Sequence, residues 1–292
     1  MKELLTSTLM YRLPMYRLQS RTMKRGHHKG TRRSNRLGTS LEFSDFRPYQ
    51  PGDDLRQIDW NVFARTNKHY IKRFLDEQEL VVSIYLDCTK SMAVLPSKWA
   101  FAKAIAASLG YMSLCADDRV GIFPIGAPNH PFTYKKGRAF ANRFVQYAEK
   151  IQSSNTSNSF SESLQKMIQP KSSFSILISD LLEPYDLIEN ALKKLQAYKQ
   201  ELYVVQILSH EEIRPVYQGD LQLIDSETSE TIHVTMSTAV KNSYQQRLSS
   251  HTELIQKLCY ERGIHFIQCK TDDSLEDIIC GQLIAKGWIQ VR

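Results

Sequence analysis

Four short apolar runs rich in β-branched residues, separated by segments of helical character, constrain this chain more than anything else in it. Val81–Leu86 (VVSIYL), Arg119–Phe123 (RVGIF), Phe174–Ser179 (FSILIS) and Leu202–Leu208 (LYVVQIL) are hydrophobic without strict alternation, as strands buried on both faces are. Between them, Lys98–Cys115 predicts an amphipathic helix with Phe101, Ile105, Leu109 and Met112 on one side. Ala139–Ile151, Phe160–Ile168 and Asp186–Tyr198 also read as helices. Leu221–Ile224 and Thr231–Val234 predict a small β-hairpin inserted near residues 219–235. A long helix over Ala239–Arg262 stops at Gly263, and a strand (His265–Cys269) and a helix (Ser274–Leu283) close the series. Strands alternating with helices predict an α/β fold, a doubly wound and mostly parallel sheet with helices on both faces.

Charge divides the chain differently. Residues 1–40 hold ten Lys/Arg and one acid, while the other 252 residues carry 28 basic and 30 acidic groups. The net +7 therefore belongs to a basic N-terminal arm over residues 1–40, and the body is close to neutral. Such an arm suits a solvated terminus, or a binder of nucleic acid, anionic lipid or acidic protein working through residues 2–36. Residues 41–80 form a second segment, dense in aromatics and in charges of both signs, with a turn at Pro51-Gly52. The regular α/β pattern fills residues 81–292.

Five cysteines, an odd number with no C-x-x-C pair, argue against a disulfide framework and a structural zinc site. No apolar run approaches the ~20 residues of a membrane span, and the first 30 residues are too polar for a signal-peptide core. A cytoplasmic location is the expectation, although the arginine-rich, acid-poor start also suits a mitochondrial-type presequence.

In open parallel sheets, sites form beyond the carboxyl ends of the strands. After VVSIYL come Asp87, Thr89 and Ser91, a carboxylate and two hydroxyls on one tight loop; after FSILI come Ser179 and Asp180. Oxygen donors from two loops suit Mg²⁺ or Mn²⁺, with waters or a partner completing the octahedron. The bland alternative is that Asp87 caps its loop while Thr89 and Ser91 bond the local backbone.

Asp87-x-Thr89-x-Ser91 followed by Asp180 resembles the metal-ion-dependent adhesion site of von Willebrand factor A-like domains. Upstream, Glu42-Phe43, Phe46-Arg47-Pro48-Tyr49, Pro51-Gly52-Asp53-Asp54, Arg56, Ile58-Asp59-Trp60 and Ala64-Arg65 resemble the signature of domain-of-unknown-function family 58. The resemblance implies an A-like fold with residues 41–80 as an added β-rich element. It implies a cation held by the first-loop hydroxyls, by a residue of a second loop and by the aspartates, with a partner's acidic side chain as last ligand. It also implies a chaperone-like partnership with a MoxR-type AAA+ ATPase. The family expects a threonine ahead of the helix at Phe160; Asn158 stands there and offers its carbonyl oxygen instead.

Nothing in the sequence points to an enzyme. G-x-x-x-x-G-K-[ST], G-x-G-x-x-G after a strand, G-x-S-x-G and H-E-x-x-H are all missing, so a metal-dependent hydrolase would lack its nucleophile and base. The expectation is a non-catalytic, metal-assisted protein-interaction module. The alternative is nucleic-acid or anionic-surface binding through the basic arm, steeply salt-dependent and indifferent to chelators.

Overall fold

The computed structural model of the chain describes residues 4–20, 43–74, 80–154, 159–217, 219–224 and 231–292. They fall into two units: the described residues within 23–79, and those within 1–22 and 80–292. In chain order the strands are β1 (Tyr16–Leu18), β2 (Phe43–Pro48), β3 (Tyr70–Phe74), β4 (Val81–Asp87), β5 (Arg119–Ile125) and β6 (Phe132–Lys136). They continue as β7 (Phe174–Ser179), β8 (Glu201–Leu208), β9 (Gly219–Ile224), β10 (Thr231–Met236), β11 (His265–Lys270) and β12 (Ile289–Val291).

The larger unit is a mixed α/β structure built on a six-stranded sheet of order β11-β8-β7-β4-β5-β6. Neighbours run parallel except β6, which is antiparallel to β5. The four apolar runs are its central strands β4, β5, β7 and β8, buried almost throughout because helices cover both faces. On one face Tyr85, Leu177 and Val204 cluster with Leu164, Leu192 and Ile255, from helices Phe160–Met167, Tyr185–Ala197 and Thr238–Glu261. The helix Pro96–Cys115 packs against β4, β5, β7 and β8 on the other.

That helix corrects the one-sided pattern expected of it. Every residue from Ala104 to Cys115 is buried, because the helix Ala141–Glu149, the Leu13–Met15 turn and β1 all pack on the sides that the sheet leaves open. The expected arm over residues 1–40 is corrected by the same observation: residues 4–20 belong to the sheet unit. Leu5, Leu9 and Leu13 recur at helical spacing and are buried, and β1 pairs antiparallel with β12. The basic positions from Arg21 to Arg36, and Lys2, lie outside the described residues. Strands β9 and β10 form a two-stranded antiparallel sheet of their own. Among the described residues, no helix is long and apolar enough to cross a membrane.

The smaller unit pairs β2 with β3 around a helix, Trp60–Thr66. Its alternating charges have local partners. Arg47 grips both carboxylate oxygens of Asp53 at 2.7 and 2.6 Å, and Gly52 takes the left-handed φ of +101° that the turn between them needs. Asp59 caps the helix, its Oδ1 accepting from the backbone N–H groups of Asn61 (2.9 Å) and Val62 (3.3 Å). Asp59→Ala orphans both donors and costs about 1 kcal/mol of local stability. Amide exchange at residues 61 and 62 then speeds up roughly fivefold, which exchange NMR on the full chain will measure.

Candidate metal centre

The order of the sheet reverses at β4. From β4 the chain steps outward to β5 and β6, then crosses back to β7 and continues to β8 and β11. The helix leaving β4 covers one face and the helices around β7 cover the other, so a crevice opens beyond the carboxyl ends of these two neighbours. Asp87 ends β4, Ser179 ends β7, and Asp180 follows it.

Asp87 is 1% exposed. Its Oδ1 accepts from the Thr89 backbone N–H (2.9 Å) and hydroxyl (2.6 Å), and the Ser179 hydroxyl donates to its Oδ2 at 2.5 Å. The hydroxyls of Thr89 and Ser91 lie 3.0 Å apart at the start of the short helix Lys90–Ala93. The loop is pinned by its backbone: the Cys88 N–H donates to the Ile125 carbonyl (3.1 Å), and the Cys88 carbonyl accepts from Ser154 (2.6 Å). Burial raises the pKa of the Asp87 carboxyl to about 7, and the charge of Asp180 adds to the rise against the bonds from Ser179 and Thr89. A buried carboxylate flanked by hydroxyl oxygens, with no cation paired to it among the described residues, fits a hard divalent ion. Among the described residues no three His, Cys, Asp or Glu side chains converge, so this donor set depends on its hydroxyls.

Asp180 comes to the same end of the sheet but is already engaged. Its Oδ2 accepts from the Lys98 ammonium at 2.8 Å and its Oδ1 from the Leu182 N–H at 3.2 Å. Lys98 is fully buried and donates also to Glu212 Oε1 at 2.6 Å. Burial works to lower the Lys98 pKa, but Asp180 and Glu212 outweigh it and the ammonium is held above its ordinary value. Glu212 is itself positioned by a reciprocal cap: its Oε2 accepts from the Ser209 N–H (2.7 Å), while its own N–H donates to the Ser209 hydroxyl (3.1 Å). The next residue after Asp180, Leu181, is buried with a left-handed φ of +53°, a costly conformation for a branched residue.

Of the residues the sequence nominates as ligands, Asp87, Thr89 and Ser91 thus form one cluster, joined by Ser179, which the sequence places at the second strand end without a ligand role. Asp180 reaches the cluster as a neighbouring charge with both oxygens bonded elsewhere. Asn158 lies outside the described residues. Lys98 and Glu212 were not foreseen, although a lysine at the third position of a helix, facing the positive end of the helix dipole, is a readable anomaly.

Residues 45–254 match the family described as "Protein of unknown function DUF58". The chain belongs to the DUF58 family. Uncharacterized proteins of Mycobacterium tuberculosis and Mycobacterium bovis are 22% identical to this DUF58 chain over 253 residues, 83% of it and 78% of theirs. Two solved structures resemble it distantly, each covering 71% of the DUF58 chain and 98% of its own. They are a conserved hypothetical protein BatB from Bacteroides thetaiotaomicron (16% identity, TM-score 0.38) and an aerotolerance-related membrane protein from Bacteroides fragilis (14%, 0.40).

Proposed function

We propose that this DUF58 chain is a non-catalytic, divalent-cation-assisted protein-binding module of von Willebrand factor A-like fold. In this reading it serves in the cytoplasm as an adaptor or chaperone-like partner of a MoxR-type AAA+ ATPase. The observation that carries the cation part is the Asp87 carboxylate, buried without a paired cation among the described residues, bonded by the hydroxyls of Thr89 and Ser179 and with the Ser91 hydroxyl beside that of Thr89, at the switch point of the sheet. Asp87, Thr89 and Ser91 would hold Mg²⁺, and Asp180 would steady it by charge from behind its bonds to Lys98. The ion would offer an open position to an acidic side chain of the partner. The partner's identity rests on the sequence resemblance alone.

Binding to the folded state alone stabilises it by about 2.7 kcal/mol when Mg²⁺ stands at a hundred times its Kd. Saturating Mg²⁺ therefore raises the Tm of the wild type over that in EDTA and leaves the Tm of Asp87→Ala unmoved. Ser91→Ala, a gentler change, gives a reduced shift. A purified MoxR-type ATPase should be retained by the wild type in Mg²⁺ and released by EDTA or by Asp87→Ala. Equal melting of all three proteins in both buffers would sink the cation reading. Retention that falls with salt and ignores EDTA would instead favour the basic segment as the binding element.

A further inference from the structure

Val94, Tyr217, Leu223, Val240 and Tyr244 are large side chains, each more than a third exposed, and they share one groove. It encloses about 680 Å³ between the chain that follows Ser91, the segment after β8, the β9–β10 hairpin and the first turns of helix Thr238–Glu261. Scattered exposed apolar residues need no explanation, but a concave cluster of them does. The groove adjoins the oxygen cluster: Val94 follows Ser91 by three residues, and the groove wall includes Glu212, whose carboxylate holds Lys98 against Asp180. Two charges of opposite sign, Glu211 and Arg247, also line it, and neither has an ion pair among the described residues.

We propose that this groove receives a short amphipathic segment of a partner protein. Two or more large apolar side chains enter it, a carboxylate meets Arg247 and a basic side chain meets Glu211. A second copy of the chain is a poor occupant. A two-fold contact must be self-complementary, and a concave face set against its own copy leaves both grooves unfilled. The proposal deepens the protein-binding reading above and stands independently of the metal.

The test selects 12-residue peptides from a displayed random library on the full chain in Mg²⁺, then measures a selected peptide by fluorescence anisotropy. The expected consensus has at least two large apolar residues flanked by charges of both signs. Val240→Lys weakens the peptide about tenfold or more. Arg247→Glu does so too, and recovers when the peptide's acid is replaced by lysine, which a merely misfolded variant would not do. Asp87→Ala separates the two readings. Loss with Asp87→Ala but not with Val240→Lys overturns the groove and keeps the cation site; loss with Val240→Lys alone keeps the groove without the cation. Selection of no apolar peptides overturns the proposal. So does a wild-type dimer that Val240→Lys converts to monomer in sedimentation, because the occupant is then a second copy.

Discussion

Lys98→Met lowers the stability of the sheet unit by about 3–5 kcal/mol, the cost of removing one member of a buried ion cluster. The ammonium lies 2.8 Å from Asp180 and 2.6 Å from Glu212, and the lysine side chain has no exposed surface. Methionine fills its volume but leaves two carboxylates facing each other with nothing between them. Urea unfolding gives the loss as a lower midpoint at unchanged slope. The triple variant Lys98→Met, Asp180→Asn, Glu212→Gln recovers most of it, because neutral amides carry no unpaired charge. If a divalent ion does settle at Asp87, Mg²⁺ restores more stability to Lys98→Met than it adds to the wild type, since Asp180 is then free to share it. A loss below about 1 kcal/mol would mean that the two carboxylates find protons or water cheaply, and that the cluster is no structural keystone.

What the sequence reveals and conceals here follows from which contacts are local. Strands β4, β5, β7 and β8 are legible because strands buried on both faces must be apolar throughout, and no nearby segment competes with that pattern. β6 and β12 are not: one is a half-exposed, lysine-ended edge strand and the other is three residues long. The helix Pro96–Cys115 is legible as a helix, yet periodicity cannot say that chain from the first twenty residues will cover its outer side. In that stretch the arginines obscure the spacing of Leu5, Leu9 and Leu13.

The candidate site divides the same way. Asp87, Thr89, Ser91 and Asp180 are legible because the rule about strand ends needs only the strands. The bonds of Lys98 span 82 residues to Asp180 and 114 to Glu212, and only the folded topology brings those three together. The left-handed Leu181 beside them has no sequence mark, since branched residues are not expected there.

The seat of the Lys98 helix supplies a second large effect, one whose sign depends on a neighbour. Gly110 meets Phe144 of the helix Ala141–Glu149: a Cβ at residue 110 would lie 2.1 Å from Cε1 of a ring that is fully buried and packed edge-on against Phe132 at 5.3 Å. Phe144→Ala empties that space and costs about 3–5 kcal/mol. Gly110→Ala gains up to about 1 kcal/mol from helix propensity but forces the ring aside, and overpacking of about 1–3 kcal/mol makes the net effect destabilising. In the Phe144→Ala background the clash is gone. The new methyl enters the cavity and the helix keeps its gain, so the double variant is more stable than Phe144→Ala by about 1 kcal/mol. A double-mutant cycle by urea unfolding checks the reversal; Gly110→Ala destabilising both backgrounds alike would show that backbone around residue 110, and not the ring, excludes a side chain.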